Sequence, residues 1–79
     1  RMALAEALLR KLRESRTKYE ALTEEISAQA QAGAGKKLPQ LMRERGALQK
    51  QVELIDALED IERRRADATA LLADPEMSA

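Results

Sequence analysis

The stretch Ala5-Glu6-Ala7-Leu8-Leu9-Arg10-Lys11-Leu12-Arg13-Glu14-Ser15-Arg16-Thr17-Lys18-Tyr19-Glu20-Ala21-Leu22-Thr23-Glu24-Glu25-Ile26 decides the fold. Ala5, Leu8, Leu12, Ser15, Tyr19, Leu22 and Ile26 recur at alternating steps of three and four, an unbroken heptad seam in which only Ser15 is not apolar. The faces away from the seam carry Glu6 before Arg10 and Glu14 before Lys18, each pair four residues apart in the favourable acid-first order. No glycine or proline interrupts the run. The pattern predicts a helix from about Met2 to about Ala32, roughly 45 Å long at ~1.5 Å per residue.

The next segment, Gln31-Ala32-Gly33-Ala34-Gly35-Lys36-Lys37, stops that helix, because either glycine can take the left-handed position just past a helix end. A loop over residues 33–38 follows. Pro39 suits the first turn of a second helix, where its missing N–H leaves no bond unmade. A connection this short makes the two helices antiparallel neighbours. The second helix is predicted from about Pro39 to about Ala73. Leu38, Leu41, Leu48, Val52 and Ile55 continue a seam with Arg45 as an outlier. Beyond Ile55 a second stripe of Leu58, Ile61, Arg65, Ala68 and Leu72 is offset by an irregular step, which rotates the apolar face around the helix. Gly46 reads as a tolerated surface glycine. Turning the chain at about residue 34 pairs positions whose numbers sum to about 70, which sets Leu22 against Leu48, Tyr19 against Val52, Ser15 against Ile55 and Leu12 against Leu58. The expected fold is all-α, a long antiparallel two-helix coiled-coil hairpin occupying residues 1–79.

The end far from the loop has apolar residues to spare. Met2, Leu4, Leu9, Leu54, Leu71 and Leu72 lie off the seams and form a second face that needs covering by a third helix or a partner chain. Asp74-Pro75-Glu76-Met77 reads as an N-cap, a proline in the first turn and an acidic residue beside it, so a third helix is expected to start at about residue 75. Both ends of the sequence read as cuts, and the chain is expected to be a piece of a longer protein.

Composition agrees with long helices. Charged residues make up 35% and apolar ones 44%, and Tyr19 is the sole aromatic residue. Fourteen basic and fourteen acidic residues cancel, so no strong overall field draws the chain to nucleic acid or to an anionic membrane. There is no cysteine and no histidine, which removes thiol nucleophiles, imidazole bases and the usual zinc sites. No apolar stretch approaches the ~20 residues that span a bilayer. Glu24–Glu25 and Glu59–Asp60 are adjacent on helices and diverge by about 100°, so they read as solvated faces and not as a catalytic pair. Gly33-Ala34-Gly35-Lys36-Lys37 lacks the spacing and the Ser or Thr of a phosphate loop. No catalytic site and no cofactor is expected. Lys36 and Lys37 at the tip, and Arg63 and Arg64 in the basic run, are the candidate partner or RNA contacts. Glu59 and Asp60 are expected to pair with Arg63 and Arg64 at i,i+4 and blunt that run. Tyr19 is expected to pack in the seam.

The second half resembles the N-terminal region of class I bacterial-type peptide chain release factors, organellar members included. The similar stretches are Leu41-Met42-Arg43-Glu44-Arg45-Gly46-Ala47-Leu48, Leu54-Ile55-Asp56-Ala57-Leu58-Glu59-Asp60-Ile61-Glu62 and, most specifically, Ala70-Leu71-Leu72-Ala73-Asp74-Pro75-Glu76-Met77. Leu8 to Ile26 is similar in layout only. The resemblance implies a non-catalytic helical domain acting in translation termination, set apart from the residues that read stop codons and hydrolyse peptidyl-tRNA. The family's Gly-Gly-Gln motif does not occur here, so no catalytic residue carries over. The implied partners are the ribosome, both rRNA and ribosomal protein, and a translational GTPase; self-association of the chain is a further expectation. The implied location is the bacterial cytoplasm or an organellar matrix or stroma. Two alternatives stand beside this. One is the tRNA-binding coiled-coil arm of a seryl-tRNA synthetase, with which Tyr19 to Ile26 and the Gly/Lys tip are compatible. The other is a structural or dimerisation coiled coil.

Overall fold

The computed structural model describes residues 2–33 and 35–78. Helix α1 spans Met2–Gln31, α2 spans Leu38–Ala47, α3 spans Gln49–Ala73 and α4 spans Pro75–Ser78. No strand occurs among the described residues. Helix α1 runs back along α2 and α3, so the chain is an all-α antiparallel hairpin whose second arm comes in two pieces, with a short further helix after it.

Each boundary has a local cause. Gly33 takes the left-handed conformation, φ 74°, and its N–H donates to the carbonyl of Ala30 at 3.2 Å, so the first of the two glycines ends α1. Pro39 sits in the first turn of α2, where the missing N–H costs nothing. The second arm, expected as one helix, is interrupted at Leu48, whose φ and ψ are −95° and −6°. The Leu48 N–H donates to the carbonyl of Arg45 at 3.0 Å, an i to i−3 bond that tightens the turn just after Gly46. The ladder resumes at once, with the Val52 N–H on the Leu48 carbonyl at 3.0 Å. At the far end Asp74 is extended and closes α3 through its N–H to Leu71, 3.2 Å, while its carboxylate accepts the Glu76 N–H at 2.9 Å. One residue thus ends α3 and caps α4, as the Asp-Pro step predicts.

The core is a single narrow seam. Leu12, Leu41 and Ile55 are the buried apolar side chains, and Ile55 is fully enclosed. Burial of this depth contributes about 1.5–3 kcal/mol per side chain. Ser15, Tyr19, Leu22 and Ile26 on α1, with Leu38, Arg45, Leu48, Val52 and Glu59 on the second arm, are half-buried around them. The seam of the second arm therefore runs 41, 45, 48, 52, 55, 59 without a break in heptad spacing, and the tightened turn at Leu48 leaves it in phase. Beyond Ile55 the apolar residues leave the seam, as the irregular step implies: α3 is one continuous helix, the seam passes to Glu59, and the Leu58 stripe is a second face. Leu58 is 36% exposed although Leu12, expected opposite, is buried, so that layer is closed on one side only. Ala5 and Leu8, the first seam positions in the sequence, are exposed, and Leu9 is half-buried instead. The two arms cease to share a seam near α1's first turns and beyond Asp60 on α3.

The molecule measures 63 × 32 × 13 Å, one layer of helices thick. It exposes 6564 Å². A compact monomer of this mass would expose roughly 4,800 Å².

Candidate interaction surfaces

Three features stand out along the hairpin, and an ionic cluster at its middle organises them. Arg16 lies beside the seam on α1 and reaches across to α3. Its guanidinium donates to Asp56 at 3.2 Å and, through both terminal nitrogens, to the two carboxylate oxygens of Glu59. Arg13 adds a bond from Nε to Glu59 Oε2 at 3.3 Å. This fork-to-fork geometry is the kind arginine makes and lysine cannot. The hydrogen bonds Arg16 donates to Glu59 and then to Asp56 push its pKa up, and the hydrogen bond from Arg16 holds the Glu59 carboxyl below its ordinary value. Glu59 was expected to pair with Arg63 along its own helix; it is drawn across to α1 because two arginines converge on it there. Asp60 takes both Arg63 and, at 3.0 Å, Arg64. Glu62 pairs with Arg65 at 2.6 Å, which lowers the Glu62 pKa and raises that of Arg65.

Arg45, the outlier of the second seam, also has a place. Its guanidinium lies 5.7 Å from the centre of the Tyr19 ring and donates to the Thr23 hydroxyl at 3.3 Å. The cation covers the aromatic face and closes the seam with a charged lid, so a position that reads as a flaw in the heptad is a cross-helix contact. Tyr19 packs in the seam as expected.

The open end is apolar and uncovered. Leu4, Leu54, Leu71 and Leu72 are exposed where the sequence placed a second face, with Leu72 at 80% and Leu4 at 77%. The side chain of Met2 lies outside the described residues. Leu9, the remaining member of that set, forms with Arg13 one wall of a shallow groove whose other wall is Leu58, Ile61 and Ala66 of α3. Ile61 is 63% exposed and Leu8 54%. The sequence reading put both on stripes but not on this open face. Stripe phase separates them: Val52 and Leu58, six residues and about 120° apart on the helix, cannot both face α1.

The tip is basic. Lys36 and Lys37 are exposed in the turn before α2, and no ion pair involves either among the described residues. Arg63 and Arg64 are also exposed but are neutralised by Asp60. These two candidate contacts are not brought together, since most of the second arm separates them, roughly 39 Å of helix between Lys37 and Arg63. No group of three or more acidic residues able to hold a metal occurs among the described residues, and no described helix is long and apolar enough to cross a membrane.

Set against protein-family models, curated proteins and solved structures, the chain has no significant match in any of the three.

Proposed function

We propose that this chain is a non-catalytic helical domain of a bacterial-type peptide chain release factor and serves as a docking element in translation termination on the ribosome. The observation that carries the reading is the geometry of Leu71 to Met77. There a helix ends on Asp74, the same carboxylate caps a new helix at Glu76, and Pro75 occupies its first turn. That is the order of events in the release-factor stretch which Ala70 to Met77 resembles. The shape supports it as well: a single layer 63 Å long offers surface and reach. On this reading Lys36, Lys37, Arg63 and Arg64 are available to rRNA or ribosomal protein. A translational GTPase is a second partner. The chain works wherever bacterial-type ribosomes do, in the bacterial cytoplasm or an organellar matrix or stroma.

A peptide-release assay on pre-assembled termination complexes tests this. A full-length factor lacking residues 1–79 should still hydrolyse peptidyl-tRNA at saturating protein, with the loss falling on affinity or on GTPase-dependent recycling. Complete loss of hydrolysis at saturation would overturn the assignment as an accessory domain.

A further inference from the structure

Helix α3 carries two heptad stripes on different faces. Val52, Ile55 and Glu59 turn toward α1. The other stripe, Leu54, Leu58, Ile61, Arg65, Ala68 and Leu72, advances by alternating steps of four and three and is exposed at every position. A heptad stripe about five turns long is the surface a second helix packs against. Left bare, it is an apolar patch of the kind that marks an interface. We propose that the partner helix is α3 of a second copy of this chain, running antiparallel about a twofold axis near Arg63.

Two features of the sequence bear on that centre. The first is the apolar stripe, which is symmetric about residue 63. In the antiparallel pair Leu54 meets Leu72 of the copy, Leu58 meets Ala68 and Ile61 meets Arg65. Leucine faces leucine at the ends and alanine further in, and the aliphatic stem of Arg65 covers Ile61 while its charge stays at the rim with Glu62. The second is charge. Glu59, Asp60 and Glu62 are followed directly by Arg63, Arg64 and Arg65. About residue 63 Glu62 faces Arg64 of the copy on both sides of the axis, while Arg63 meets its own copy and Glu59 lies opposite Asp67, so the charges favour the antiparallel pair through Glu62 and Arg64. A parallel pair would set acid on acid and base on base.

The areas and fields agree. The chain exposes about 1,800 Å² beyond a compact monomer of its mass, more than the ~800 Å² each partner contributes to a standard interface. Its net charge is zero, so two copies meet without long-range repulsion. Leu9 and Arg13 on α1 wall the groove beside Leu58 and Ile61. A second α3 lying in that groove would join the two hairpins into a four-helix body.

The pairing does not depend on the functional reading above, and its failure would leave that reading untouched. The sequence has no cysteine, so introduced thiols are the only ones present. Under mild oxidation, a mixture of Leu54→Cys and Leu72→Cys chains should give a disulfide joining the two variants, and neither variant alone should crosslink efficiently. Efficient crosslinking of Leu54→Cys chains to themselves would overturn the antiparallel register. In sedimentation the unmodified chain should dimerise, and a strict monomer at high concentration would overturn the proposal. Leu72→Glu, at an exposed helical position that leaves the fold intact, should raise the dimer dissociation constant at least about tenfold by setting a carboxylate against Leu54 of the copy. Helicity by circular dichroism reports on that intactness, and undiminished association of a helical Leu72→Glu chain would also overturn the proposal.

Discussion

Arg16 illustrates how much one side chain outside the apolar pattern decides. It sits next to Ser15, the polar gap in the first seam, which the heptad register sets against Ile55, and Ile55 is fully buried. A small residue at 15 leaves room for the branched chain opposite, and the long one at 16 spans the helices to Asp56 and Glu59. Because Arg16 holds the folded carboxyl of Glu59 below its ordinary value of 4.5, this pair contributes fully above that value. The contribution disappears as the pH falls through the lower, folded value and the carboxylate takes up a proton. Arg16→Ala should therefore lower the urea midpoint at neutral pH, and the gap from the unsubstituted chain should close under acid conditions. A gap that is the same at both would show that Arg16 acts through packing of its stem and not through Glu59. Glu62, held low by Arg65, titrates in the same direction on its own helix, so the substitution at 16 should not touch that part of the acid response.

Among the elements, the second arm was the least legible. Its existence, its antiparallel course and its start at the Gly-Lys turn followed from heptad spacing and from Pro39, and the structure has all three. The interruption at Leu48 did not follow, because the seam positions on either side keep their phase and only the backbone tightens. The face of Leu58 and Ile61 was misplaced for a related reason. A helix can carry two stripes at once, and spacing alone reads the second as a continuation of the first. Arg45 reads as an outlier and Glu59 as a solvated charge because heptad spacing weighs apolar residues, whereas long charged side chains can close a seam from its rim. Gly46 tests what the break is made of. It has an ordinary helical conformation, and a Cβ built there meets nothing within 4 Å. Gly46→Ala should accordingly stabilise the chain by about 0.5–1 kcal/mol through helix propensity, seen as a raised thermal midpoint. A loss of stability would mean that the tightened turn at Leu48 needs glycine two residues before it.

For the molecule as a whole, stability should be divided along the long axis. From Leu12 to Ile26 on one arm and from Leu38 to Asp60 on the other, each turn has a buried or half-buried seam residue, and the Arg16 cluster closes that section. Past it, every side chain of α3 from Ile61 to Ala73 is exposed, and so are most of those before Leu12 on α1. Helices without a packed face fray, because their hydrogen bonds form and break at little cost beyond propensity. Amide hydrogen exchange in dilute solution should thus show protected backbone within 12–26 and 41–60 and fast exchange over 3–8 and 61–73. The contrast should depend on concentration. If copies pair through the stripe of Leu58 and Ile61, protection should spread into 61–73 as the chain is concentrated and leave the tip at Lys36 and Lys37 unchanged. Uniform protection along both arms in dilute solution would mean that the open end is stable without a partner. The exposed stripe would then need an explanation other than a missing helix.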